Sequence, residues 1–148
     1  MATIIIDASN TVLGRVCTKA AKGALLGDQV VVINAEKALV SGDRDMILAK
    51  ELKKLEIRNL GNPQKGPFHE KRPDKYVRRA IRGMLPWHRH RGREAFAKVQ
   101  VYIDVPEAEI KKNHKVDVKT AKIEKLGLKK PGRYITVADL CSSIGGKY

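Results

Sequence analysis

The chain has 148 residues, a common length for one domain, and 43% of them are apolar, enough to build a core. The formal net charge is +14 with a pI near 10.0. This composition excludes a compositionally disordered chain, and the lopsided charge points to a polyanionic partner.

The elements read as follows in chain order. TIIIDA (3–8) is a short β-branched run and predicts a strand buried on both faces. SNT (9–11) is placed to cap a helix whose apolar stripe runs from Val12 to Leu25, with Arg15, Lys19 and Lys22 on the opposite side. Gly27 and Asp28 end it, and QVVVINA (29–35) is a second apolar strand. Strand, helix and strand at this spacing form a βαβ start, which favours a parallel pair with a right-handed crossover. SGDRD (41–45) predicts the cap of a second helix over 43–56. Pro73 suits the first turn of a third helix over 73–83, with Tyr76, Val77, Ala80, Ile81 and Met84 on its apolar side. Pro86 stops it, and HRHRGRE (88–94) reads as a charged loop that self-repulsion keeps mobile over 84–97. VQVYIDV (99–105) is a strand ended by Pro106. The lysine-rich stretch 115–132 reads as irregular or partly helical, and 136–146 as a short capped helix ending at Gly145.

MATIIIDASN has no basic leader and too short an apolar run for a signal peptide, and no window approaches a membrane-spanning length. Cys17 and Cys141 stand in no CxxC arrangement; Cys17 falls in the helical stripe and reads as a small buried hydrophobe of a reducing compartment, with a single disulfide between the two as the lesser alternative.

The positive charge is localised. Residues 1–64 hold nine Lys/Arg against seven Asp/Glu, and residues 99–148 ten against six. Residues 65–98 hold eleven against three, so the middle quarter carries more than half of the net charge. Seven of the eleven are arginines, whose planar fork binds phosphate bidentately and stacks on bases. Trp87, His88 and His90 are interleaved with them and can stack on unpaired bases. A solvated charged face is the plain alternative. It is weakened because Lys75, Arg78, Arg79 and Arg82 share one side of a helix whose other side is apolar, so packing aims them.

Other chemistry fits less well. The turn after the first strand lacks the GxGxxG glycines, and nothing matches GxxxxGK[ST], so a nucleotide-binding enzyme finds no cradle. His88 and His90 form an HxH pair, but Arg89, Arg91 and Arg93 oppose a dication, and no metal site is expected. No nucleophile–base pair can be assigned, so no catalytic residue is expected; Cys141 beside two serines reads as helix packing. A membrane surface would need an exposed apolar helix face, which residues 76–84 commit to the core. A DNA-compacting protein stays open as a rival, as does regulatory RNA binding. The absence of a readout module suits backbone recognition of folded RNA.

Several motifs in order carry a resemblance. They are the opening Ile6-Asp7-Ala8 with Leu13-Gly14-Arg15, the VVINAEK exit (31–37), the SGD turn (41–43), and the RP…RGMLP block (72–73 and 82–86). Over residues 3–106 the chain resembles the universal large-subunit ribosomal protein L-thirteen family, in its archaeal and eukaryotic branch. VPEAEIKKNHKVD stands where the bacterial pattern has HPHxAQxP, so bacterial members do not guide residues 107–148. The resemblance implies a three-layer α/β fold with a central mostly parallel sheet. It implies a non-enzymatic structural component of the cytoplasmic ribosome's large subunit. Its partners would be large-subunit ribosomal RNA and neighbouring ribosomal proteins, with no membrane, no cofactor and no small-molecule substrate. The expected organisation is a single domain over 1–148, with 65–98 as basic helix and loop and 107–148 as a C-terminal extension. The expected RNA-binding residues are Lys65, Lys71, Arg72, Lys75, Arg78, Arg79, Arg82, Trp87, His88, Arg89, His90, Arg91 and Arg93. Gly14 and Arg15 are expected to be structural.

Overall fold

A computed structural model describes residues 2–116, 118, 123–126 and 132–148. β1 (Thr3–Asp7) leads through α1 (Leu13–Leu26) to β2 (Gln29–Ile33), and the two strands pair in parallel with Ile5 opposite Val31. β3 (Leu39–Ser41), α2 (Arg44–Glu56), α3 (Pro73–Gly83) and α4 (His90–Ala97) follow, then β4 (Val99–Val101), α5 (Glu107–His114), β5 (Ile123–Lys125), β6 (Tyr134–Thr136) and α6 (Val137–Ser143). The main sheet runs β4-β2-β1-β5, and all its pairings are parallel. β3 and β6 make a separate antiparallel pair.

The side-chain period of two divides the sheet cleanly. Ile6, Val30, Val32, Val99 and Val101 face a core shared with α1, α3, α4 and α6. Ile5, Val31 and Ile33 face the other way, against Ile110 of α5 and Val118. Helices therefore cover both faces, as a parallel sheet requires, and the fold is the expected three-layer α/β.

Small residues bring α1 close to the sheet. Cys17, Ala20, Ala21 and Ala24 are buried, and a Cβ on Gly23 would sit 3.2 Å from both Ile4 and Val30. Gly27 ends the helix at φ 104°, its N–H donating to Ala24 O while Asp28 N donates to Gly23 O.

Several expected details differ. SNT does not cap α1: Val12 holds the cap position, and the buried Thr11 Oγ1 donates instead to the carbonyls of Ser9 and Leu126. Asp43 does stand at the cap of α2, but its carboxylate accepts from Arg133 Nη1 at 3.0 Å. β2 and β4 are shorter than 29–35 and 99–105: Asn34 adopts left-handed backbone at φ 54° directly after β2, and β4 ends at Val101, three residues before Asp104 turns the chain at φ 56°. Of the stretch 115–132, residues 117, 119–122 and 127–131 lie outside the described residues. Ile123–Lys125 forms a strand on the far side of β1 that the sequence did not suggest. The C-terminal segment also sends Val137, Leu140 and Cys141 of α6 into the interior.

Candidate nucleic-acid interface

Pro73 is buried at the start of α3, and Val77 and Ile81 fix that helix against the core. Their burial determines where the other stripe points. Lys75 and Arg79 are exposed, and Arg78 and Arg82 are half-buried.

The chain then turns at Leu85–His88 and starts a helix where a mobile loop was expected. Gly92 explains this. A Cβ there would lie 2.0 Å from the Pro86 carbonyl oxygen, so only glycine lets α4 settle on the preceding turn. Ala95 is buried beneath it. The like charges that argued for a mobile loop are spread apart instead. Arg91 Nη2 reaches Leu25 O at 3.4 Å, at the negative end of α1. Arg93 Nη2 reaches His88 O at 3.4 Å, and His90 lies 3.3 Å from the Glu94 carboxylate one turn on.

Two aromatic rings form the centre of the block. Trp87 and Phe96 meet edge to face, centroids 5.2 Å apart and planes at 87°. The Arg82 guanidinium lies 4.8 Å from the Trp87 centroid, and that of Arg78 lies 4.7 Å from Phe96. Each cation–π contact is worth about 0.5–1 kcal/mol at such partly exposed positions. A guanidinium set over a ring has its face occupied while its edge, which carries the N–H donors, is aimed elsewhere. Setting Arg78 down in this way buries its Nε without a hydrogen-bond partner among the described residues. Trp87 is thus packed against the protein, half-buried between Arg82 and Phe96. Phe96 escaped sequence reasoning. Its signal was its position four residues after Gly92 and one after Ala95, on the inner face of a helix.

The remaining residues are more scattered. His88, Arg89, His90, Arg91 and Arg93 are all exposed. Arg72 Nε sits 3.3 Å from Asp74 Oδ1, at ion-pair distance without hydrogen-bond alignment. The backbone of Lys71 is pinned by the C-terminus, because a Cβ on Gly146 would fall 2.3 Å from Lys71 O. Lys65 stands in a short 3₁₀ turn (Pro63–Lys65) on the connection from α2. Among the described residues, no hydrogen bond or ion pair ties its side chain to α3. No carboxylate among them pairs with Arg78, Arg79, Arg82, Arg89, Arg91 or Arg93 either. Gly14 is exposed with nothing within 4 Å of a Cβ, so packing does not supply the structural role expected of it.

The β1–α1 turn is filled by its own chain. Asn10 N donates to Lys37 O, Leu39 N to Thr11 O, and the Asp7 carboxylate accepts from Ser9 N at 3.0 Å. A carboxylate where a nucleotide phosphate would sit argues against the nucleotide-binding rival. No cluster of residues that could hold a metal occurs among the described residues, and none of their helices is long and apolar enough to cross a membrane.

Comparison with known proteins agrees with the motifs. The family described as Ribosomal protein L13 matches residues 1–108. Among curated proteins the chain is similar to the large ribosomal subunit protein uL13 of Thermoplasma volcanium, 41% identical over 145 residues, covering 96% of this chain and 98% of the relative. It is 39% identical to the same-named protein of Methanocaldococcus jannaschii, covering 97% and 98% of the two chains. The uL13 of Methanopyrus kandleri is also 39% identical, over 95% of this chain and 86% of that one. The similarity thus runs past residue 106 into the C-terminal segment that the bacterial pattern could not guide. With the motifs in order, the α/β sheet they build and relatives aligned nearly end to end, the chain belongs to the Ribosomal protein L13 family.

Proposed function

We propose that this chain is a single-domain structural component of the large ribosomal subunit in the cytoplasm, held there by binding ribosomal RNA and contacting neighbouring ribosomal proteins. It performs no catalysis. The observation that carries this reading is the seating of Arg78 and Arg82 on Phe96 and Trp87, beside four further arginines with no carboxylate partner among the described residues. Ordering long side chains normally costs about 1–2 kcal/mol each in rotamer entropy. Here part of that cost is met within the folded protein, so phosphate meets guanidinium groups already in position.

Lys65, Lys71, Arg72 and Lys75 extend the contact on one side, and His88 through Arg93 on the other. Each phosphate neutralised releases condensed counterions. RNA segments relieved of mutual repulsion can then approach, and the protein fastens them together during subunit assembly.

The test is the salt dependence of binding to deproteinised large-subunit rRNA. With 6–10 phosphate contacts, affinity falls roughly 10³–10⁵-fold between 50 and 200 mM salt. A flat dependence would overturn the phosphate contacts, and equal affinity for duplex DNA would overturn the reading in favour of a looser polyanion binder.

A further inference from the structure

Phe68 is 64% exposed in the segment joining α2 to α3. An aromatic ring left in water on a strongly basic protein calls for a partner with a flat apolar face. Phe68 lines a cleft of about 380 Å³ between α2, the 68–70 segment, α3 and the end of α6. Leu55 and the buried Ile144 supply apolar lining. Lys54 and Arg79, both exposed, also line the cleft, and Arg79 belongs to the basic stripe of α3. The cleft is therefore continuous with the proposed RNA-binding face.

Its carboxylates have distinct places. Glu51 is already engaged, accepting from Lys54 Nζ at 2.6 Å and from the Tyr76 hydroxyl at 3.4 Å. Lys54 keeps further N–H donors for a phosphate. Glu70 also lines the cleft and makes no ion pair among the described residues. A carboxylate repels phosphate but accepts from the exocyclic amino group of a base, as in carboxylate readout of cytosine N4.

We propose that this cleft receives one unstacked base of an RNA strand. The base lies on Phe68, its flanking phosphates are held by Arg79 and Lys54, and Glu70 favours a base with an exocyclic amino group over uracil. The inference rests on the RNA-binding reading above and adds to it a site for a base rather than for the backbone.

The test compares the full chain with Phe68→Ala, Phe68→Trp and Arg79→Gln on deproteinised large-subunit rRNA. Phe68→Ala weakens binding about 5- to 150-fold at fixed salt, the usual loss for one stacked base. It leaves the slope of affinity against salt unchanged, because no charge is removed. Phe68→Trp retains wild-type affinity, which separates lost stacking from lost fold. Arg79→Gln lowers the slope. Binding of hexacytidylate exceeds that of hexauridylate, and Glu70→Ala removes the difference. If Phe68→Ala binds rRNA like wild type while the steep salt slope persists, the cleft is not a base site, and the RNA-binding reading stands without it. If wild type itself shows no steep slope, that broader reading fails first. Equal binding of the two hexanucleotides overturns the role of Glu70.

Discussion

Replacing Gly92 with alanine tests whether the basic block is a packed element. The added Cβ would stand 2.0 Å from Pro86 O, 2.4 Å from Pro86 C and 3.0 Å from Trp87 N. These are backbone atoms, and no side-chain rotation relieves them. α4 must withdraw by at least about 1 Å, which opens the Trp87–Phe96 pair and lifts both rings from their arginines. Overpacking costs about 1–3 kcal/mol, and the lost ring pair about 0.5–1.5 kcal/mol more. Alanine's better helix propensity returns about 1 kcal/mol. The net expectation is a loss of roughly 0.5–3.5 kcal/mol, or about 1–14 °C in Tm for a chain of this size. Urea titration, with near-ultraviolet circular dichroism of Trp87 as local probe, measures both effects. Gly83→Ala is the control: Gly83 is also helical and its Cβ would meet nothing within 4 Å, so it should be as stable as wild type or up to about 1 kcal/mol more stable. Equal stability of Gly92→Ala and Gly83→Ala, with an unchanged Trp87 signal, would refute the packing argument.

Three further outcomes follow from the same contacts. Converting Arg78, Arg79 and Arg82 together to glutamine should lower the salt slope of rRNA binding by roughly 2–3. Of the single changes, only Arg78→Gln and Arg82→Gln should also lower the melting temperature. Burial pushes both cysteine thiols up to about 12 from 9.0, so Cys17 and Cys141 should resist iodoacetamide at pH 8 until denaturant is added. Because the unfolded thiols ionise first, their contribution to stability is complete below pH 9 and drains away between about pH 9 and 12, which urea titrations across that range would detect. Tyr76, also raised by burial and by the neighbouring Glu51 charge, acts with the same sign above pH 10. Thr136→Ala removes the hydroxyl that accepts from Asp139 N at 3.1 Å and should cost about 1 kcal/mol in the same titration.

The legible part of the fold was the part with long, regular periodicity. α3 starts and stops at the residues its pattern implies, because Pro73 and the Val77–Ile81 spacing are strong local signals. β1, α1 and β2 were legible for the same reason. α4 was not, because a glycine among arginines locally signals a loop. The requirement that Gly92 answers, close approach to Pro86, exists only once the chain has folded back. β5 is three residues long with two charged side chains, and its place beside β1 is a long-range pairing that no local pattern encodes. At the site, the arginines were visible as composition. Their platform was not, since Arg78 and Phe96 stand 18 positions apart and meet only through tertiary packing. Lys54 lies outside the basic stretch 65–98, and Phe68 lies inside it as an uncharged residue; both became candidates only through the cleft they share with Arg79.

Sedimentation of the tagged chain from cell lysate through a sucrose gradient, at low and at moderately high salt, tests the central claim most directly. A structural component travels with the large subunit and stays there at the higher salt, because on the assembled subunit neighbouring proteins hold it in addition to the arginine–phosphate contacts that salt weakens. A chain left at the top of the gradient, or released at modest salt, would contradict that account.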